Sequence, residues 1–283
     1  MKRRGYDPDM VTRGGPSAGT LLREWRHRRN LSQLEVAMRS AISARHLSFI
    51  ETGRAQPSRQ MVLRLADHLD VPLRERNHLL LAAGFAPVFG EHSLNENEMA
   101  PIRAALARFL SAHEPYPALV VDRRWDIVAA NRGIAYVTRG VADDLLAPPA
   151  NALRIALHPR GLAPRISNFA EWSGYLLTRL RRDIDTTRDH RLEALYEEVS
   201  AYPGVTAEHD RGISPNPNDI LLIHELRVDD AQLALFSTVT TFGTARDLTL
   251  AELTIEAFYP VNASTAEVLA VAVGDAQPNQ HRS

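Results

Sequence analysis

Between residues 19 and 84 the sequence carries a run of helix start and stop signals that confines this stretch to short helices. Ser32 and Glu35 stand in capping-box spacing, where each side chain satisfies a backbone N–H that has no partner inside the helix. Ser43 opens a segment that stops at Gly53, the residue type best suited to a left-handed C-terminal turn. Pro72 holds a first-turn position and Gly84 a terminating one. Five helical segments follow: Gly19–Arg29 with Leu22 and Trp25 on one face, Ser32–Ser40, Ser43–Thr52, Ser58–Leu69 burying Met61, Leu65 and Leu69, and Pro72–Ala83.

Charge sorts with this boundary. The 283-residue chain sums to −1, which taken alone argues against nucleic acid as a partner. Residues 1–90, however, hold 15 Lys/Arg against 8 Asp/Glu, and residues 91–283 hold 18 against 26, so a +7 part is joined to a −8 part. Lys2 is the only lysine, and the arginine fork suits phosphate and guanine. The absence of cysteine excludes disulfides, thiolate metal sites and thiol nucleophiles, and fits a reducing cytosol. Met1-Lys-Arg-Arg4 starts like a signal peptide, but polar sequence follows where an apolar core is required. The longest apolar stretch, Leu79–Phe89, falls short of the roughly 18–20 residues that span a bilayer. A cytoplasmic protein with no membrane partner is expected.

The domain limits expected are a disordered tail over 1–18, an all-α domain over 19–85, a linker or ordered strap over 86–100, a second domain over 101–274 and a tail over 275–283. In the second domain, Pro101–His113 reads as a helix. Ala118–Val121 and Ile127–Ala130 read as a hairpin-like pair, and a helix-rich middle runs through about Val199 with breaks at Ala147-Pro-Pro149 and His158-Pro159. Ile220–Val228, Leu233–Thr241 and Leu250–Tyr259 are rich in β-formers, Asp229-Asp230 reads as a turn, and Ser264-Thr-Ala-Glu267 reads as the cap of a last helix. The fold class expected is α+β, with a five-helix N-terminal domain and a PAS-like antiparallel sheet packed with helices.

The second and third helices, a short turn apart in a basic segment, fit a helix-turn-helix whose third helix enters the major groove. From the pattern alone a five-helix bundle with a solvated arginine face fits equally. Leu31-Ser-Gln-Leu-Glu-Val-Ala37, Ile42-Ser43 and Ile50-Glu-Thr-Gly-Arg54 resemble the phage-repressor (XRE) helix-turn-helix family. That resemblance implies a double-stranded DNA operator as partner. It places Gln33 near a backbone phosphate, Ser43 as cap and phosphate contact, Ala44 and Arg45 at the main base-reading positions, Ser48 and Phe49 further along the same face, and Arg54 on a phosphate. Arg26 and Glu51 match a structural ion pair of the family. The turn departs from the family, with Ser40-Ala41 where glycine is usual.

No catalytic constellation emerges. Gly15-Pro-Ser-Ala-Gly19 satisfies the G-x-S-x-G pattern but lacks the apolar strand that a nucleophile elbow needs. No H-E-x-x-H, Walker or Rossmann pattern is present, and Asp143-Asp144 reads as a solvated turn. The expectation is no enzyme, no metal and no cofactor. Pro115-Tyr-Pro-Ala-Leu-Val-Val-Asp-Arg-Arg-Trp-Asp126, Asn131, Leu157-His-Pro159 and Phe242-Gly-Thr244, with Val71–Asn77 and Leu79–Pro87, are similar to the MmyB-like transcription regulators over about Thr20–Leu269. The resemblance implies a PAS-like ligand-binding domain with a hydrophobic pocket and a fatty acid as a possible bound effector; a homodimer on a palindromic operator is expected. Trp125, Phe169, Trp172, Leu176, Phe236, Phe242 and Phe258 are candidates to line that pocket, though side chains of this kind are more often plain core. Phe169 stands where Trp is more usual. Arg154, His158 and Arg165 are candidates to anchor a carboxylate. Asn131 reads as fixing its turn.

Overall fold

A computed structural model describes residues 15–187, 189–205 and 221–274. The expected tails, with Lys2, Arg3, Arg4 and Arg13, lie outside these residues except at 15–18. The described residues divide into two compact units, one formed by those within 15–91 and 246–248, the other by those within 92–245 and 249–274.

The first unit is all-helical: α1 (Ala18–Arg28), α2 (Gln33–Arg39), α3 (Ala44–Glu51), α4 (Arg59–His68) and α5 (Leu73–Ala82). Ser17, Ser32, Ser43 and Ser58 cap the first four, each accepting a backbone N–H three residues on. The Ser17 of the G-x-S-x-G match is therefore a helix cap. In α4 the inward stripe is Val62, Leu65, Ala66 and Leu69, and Met61, expected inside, is half-buried beside it.

All five helices close in the same way. Asn30, Ala41, Gly53, Asp70 and Gly84 take positive φ. In each case the next residue's N–H returns to the carbonyl three from the helix end: Leu31 to Arg26, Ile42 to Ala37, Arg54 to Phe49, Val71 to Ala66 and Phe85 to Leu80. These are Schellman closures, which satisfy carbonyls that the helix leaves open. Gly, Asn and Asp tolerate the left-handed region, whereas Ala41, at φ 52°, does not.

The second unit contains α6 (Ala100–Ala112), β1 (Ala118–Val121), β2 (Ile127–Ala130), α7 (Arg132–Val137), α8 (Asp143–Leu146), α9 (Ala152–Leu157), α10 (Phe169–Thr187), α11 (His190–Ser200), β3 (His224–Val228), β4 (Ala231–Thr241), α12 (Leu248–Ala251), β5 (Thr254–Pro260) and α13 (Ala263–Gly274). The strands form an antiparallel sheet in the order β2-β1-β5-β4-β3. This is the α+β architecture expected, a curled sheet with most of its helices inserted between β2 and β3.

Strand alternation sorts the two faces. Ala118 and Val120 of β1, with Ile255 and Ala257 of β5, pack on Leu106 and Leu110 of α6. Leu119, Val121 and Phe258 face the opposite way, into a core completed by α7, α9, α10, α11 and α13. All four residues of β1 are buried, so its run of apolar side chains is explained by cover on both sides.

Asn131 caps α7 with every polar atom in use. Its Oδ1 accepts from Ala118 N at 3.0 Å and Ile134 N at 3.2 Å, and its Nδ2 donates to the carbonyls of Leu110 at 3.2 Å and Tyr116 at 2.8 Å. Gly133 sits so close to β1's entry that a Cβ there would lie 2.7 Å from Pro117 N.

Three expectations shift. The run expected from Leu250 begins as α12, and β5 starts only at Thr254. Asp143-Asp144 forms the first turn of α8, where acidic side chains suit the helix N-terminus, and Asp144 pairs with Arg160 at 2.6 Å. The last helix starts at Ala263, and Asn262 Oδ1 rather than Ser264 accepts from Thr265 N at 2.9 Å.

Ala41→Gly is expected to stabilise the helical unit by about 0.5–1 kcal/mol, because glycine carries no left-handed penalty at this closure. Urea unfolding followed by circular dichroism reads this as a raised midpoint; an unchanged or lowered midpoint means that Ala41 bears no strain.

Candidate functional site

A buried ion pair ties α3 to α1, and α2 joins it through a hydrogen bond. Arg26 Nε and Nη2 donate to the two oxygens of Glu51 at 2.7 and 2.9 Å, and the Glu51 side chain is only 1% exposed. Burial works to raise the Glu51 carboxyl, but hydrogen bonds from Arg26 and Gln33 hold it below the ordinary range. Gln33 Nε2 donates to Glu51 Oε2 at 2.8 Å, so the structure places this expected phosphate contact on the strut between α1 and α3.

Ser43 Oγ accepts from His46 N at 3.1 Å, and Ser43 itself is exposed at the start of α3. Ala44 and Arg45 are the first two residues of α3, and Arg45 is exposed with its guanidinium 5.3 Å from the centre of the Phe49 ring, one turn on. Ser48 and Phe49 are half-buried along that face, and Arg54 is exposed just after the Gly53 closure. Arg45 is thus a planar donor fork on the N-terminal part of the second helix of the pair, where such motifs meet base edges.

The second unit holds a partly open cavity of about 80 Å³ between the sheet and α7, α9 and α10. Leu119, Trp125, Ile134, Leu153, Leu176 and Phe258 form much of its apolar wall. The structure brings four of the ten expected pocket residues to it: Trp125, Trp172, Leu176 and Phe258.

The other six lie elsewhere, for identifiable reasons. Phe236 alternates with Leu235 along β4, so it faces the opposite layer, where it stacks on Tyr259 at 5.3 Å. Phe242 packs in that same layer. Arg154 grips Glu198 at 2.8 and 2.7 Å, and Tyr202 donates its hydroxyl to the same carboxylate at 2.5 Å, which together with burial pushes the phenol up to about 12. His158 meets the Tyr202 ring edge-on at 4.9 Å, and its Nδ1 accepts from Arg160 N at 3.0 Å. Arg165 Nη1 donates to the Arg139 carbonyl at 2.5 Å, and burial lowers its guanidinium. Phe169 begins α10, half-buried against Gly204.

The sequence reading missed the polar lining. Glu256, on β5, lines the cavity and pairs with Arg179, which lies over the Trp125 ring at 4.5 Å. Trp125 Nε1 donates to Asp183 Oδ2 at 3.0 Å, and burial pushes that carboxyl up against the pull of Trp125 and Arg179. His224, on β3, stacks flat on Trp172 with ring centres 4.2 Å apart and an angle of 2°. Its two nitrogens and Trp172 Nε1 are buried and lack hydrogen-bond partners among the described residues. Burial alone pushes the His224 imidazole down to about 4. The alternation His224-Glu-Leu226-Arg-Val228 was the available signal, since it sets His224 on the inward face beside two aliphatic residues.

Among the described residues there is no group of three or more His, Cys, Asp or Glu that could hold a metal ion, and no helix long and apolar enough to cross a membrane. The model of the MmyB-like transcription regulator ligand-binding domain matches residues 102–272, more than half of the chain. The chain belongs to the MmyB-like transcription regulators. A helix-turn-helix domain model matches residues 17–79 of this regulator, covering all of α1 to α4. DNA-binding transcription regulation is therefore its established class. No curated protein matches the chain significantly. Among solved structures, that of an RNA-binding light-oxygen-voltage receptor aligns with 97% of this chain and 68% of its own, at 12% identity and a TM-score of 0.28. So weak a likeness supports no argument.

Two outcomes test these sites in the MmyB-like regulator. Arg45→Ala is expected to cost about 1–3 kcal/mol of operator affinity and to relax one base position. Equal weakening on operator and random DNA would reassign Arg45 to a phosphate. His224→Phe is expected to stabilise the ligand-free protein at neutral pH by about 1 kcal/mol, since it removes unpaired polar atoms while keeping the stack. It should also flatten the acid side. In the wild type the unfolded state gains a proton below pH 6.5 that the folded state refuses until about 4, so up to about 3 kcal/mol is lost over that window. Urea midpoints against pH that are identical for both proteins would show that His224 is not held neutral.

Proposed function

We propose that this regulator senses a small hydrophobic ligand in its C-terminal domain and thereby controls binding of a palindromic operator as a homodimer. One recognition helix meets each half-site, the two sites lying about one DNA turn or a multiple apart. The observation that carries this reading is the pairing, in one chain, of a matched helix-turn-helix with a matched ligand-binding domain whose core holds an apolar cavity. Family resemblance points to a fatty-acid-like molecule, and the protein would act in the cytoplasm, where its DNA lies. Affinity for DNA follows the basic N-terminal part rather than the net charge of −1, so it falls with salt according to phosphate contacts.

Ligand control requires that the ligand bind two packings of the sensor domain unequally, since an equal affinity shifts nothing. One observation favours a second reading. At about 80 Å³ the cavity is smaller than the roughly 300 Å³ at which typical ligand pockets begin, which suits a domain serving only dimerisation or partner docking. An acyl chain of ordinary length requires the walls to move apart.

Footprinting the purified protein on DNA flanking its own gene, with and without added fatty acid at matched salt, separates the readings. The sensing proposal expects occupancy to change operator affinity by about tenfold, a coupling of about 1.4 kcal/mol. Equal affinity of ligand-free and lipid-loaded protein ends control by a fatty acid and favours the docking module.

A further inference from the structure

The cavity's polar lining is divided in use. Of the polar side chains that reach it, Thr138 donates its hydroxyl to the Ile134 carbonyl at 2.8 Å, Trp125 donates to Asp183, and Glu256 is paired with Arg179. Trp172 and His224 remain, 4% and 5% exposed, with no hydrogen-bond partner among the described residues. They cannot satisfy each other. Ring N–H groups and lone pairs lie in the ring plane, and these two rings are stacked within 2° of parallel. Their nitrogens point past one another, so only a third group at the ring edges can meet them.

The charge around them restricts that group. The cavity lining includes one carboxylate, Glu256, and no lysine or arginine, because Arg179 stands behind Glu256 and is engaged by it. An anion placed here would meet a like charge without a counter-charge and would lose its water. An uncharged oxygen has neither cost: a carbonyl accepts from an N–H, and a hydroxyl donates to an imidazole lone pair while accepting as well.

We infer that the cavity takes an uncharged ligand whose carbonyl or hydroxyl hydrogen-bonds to Trp172 Nε1 and the imidazole edge of His224, with its aliphatic body against Leu176, Leu226 and Leu235. This rests on the sensing reading above and narrows it: a free carboxylate is the disfavoured head group. Arg154, His158 and Arg165, the side chains that would suit a carboxylate, do not line the cavity. The volume of about 80 Å³, roughly half of a cavity known to hold benzene, favours a short aliphatic body.

The test is a matched series of hexane, hexanol, hexanone and hexanoate titrated into the full-length protein at neutral pH by calorimetry. Hexanol or hexanone is expected to bind about five- to tenfold more tightly than hexane, and hexanoate more weakly than either. Trp172→Phe and His224→Phe, which keep the stacked rings, should each reduce this preference, read as the ratio of hexanone to hexane affinity within the same variant. A measurement on the unaltered protein stands beside the variants. The indole N–H proton of Trp172, followed by nuclear magnetic resonance, should move downfield with hexanone and not with hexane. Hexanoate binding as tightly as hexanone, or a preference unchanged in both variants, or an indole proton indifferent to hexanone, overturns the inference while hexane binding leaves the sensing reading intact. Failure of every member of the series to bind, hexane included, overturns both.

Discussion

Cover on both faces of β1 and β5 is the constraint on which the ligand-binding domain depends. A strand offers alternate side chains to opposite sides, so once α6 occupies one side and the helical layer the other, each residue's surroundings follow from its parity. Leu119 and Glu256 go to the cavity, and Val120 and Ile255 go to α6. The pairing of Leu119 with Glu256 and of His224 with Leu235 then fixes which side chains confront one another across the cavity wall. A slip of one residue would exchange the two sets and bury Glu256 against α6, away from Arg179.

The helical unit solves a different problem, that of building a rigid reader from segments too short to be stable alone. It does so with caps at the starts and left-handed closures at the ends, leaving few backbone groups unpaired. Glu51 then joins three elements, accepting from Arg26 on α1 and Gln33 on α2 while standing on α3. Orientation of the reading helix and burial of this carboxylate are therefore one property.

Local chemistry made the helical unit legible. Ser32 with Glu35, Gly53 and Gly84 announce their roles by residue type, and the Arg26–Glu51 pair followed from family resemblance. Asn30 and Asp70 carry the same closure signal less plainly, and Ala41 carries none. In the ligand-binding domain residue type was a poor guide. Arg154 and His158 are chemically suited to an anion, yet a nearby glutamate and tyrosine engage them, which no spacing reveals. Phe236 was mis-set because aromatic character outweighed parity, although Leu233 and Leu235 already claimed the inward positions. A lone histidine in a strand drew no attention, since only the closed fold shows that nothing answers it.

The close approach at Gly133 decides which wall of the ligand-binding domain can yield. With no space for even a methyl group between α7 and the chain at Pro117, and with Asn131 binding that helix start to three backbone groups outside it, α7 and the sheet behave as one slab. Any enlargement of the cavity must come from the opposite side, by withdrawal of α9 or α10. Occupancy would then be felt first at the clasp of Arg154, Glu198 and Tyr202, which ties α9 to α11 at a partly exposed site. On the sensing proposal, the rigid side would hold a ligand and the yielding side would report it.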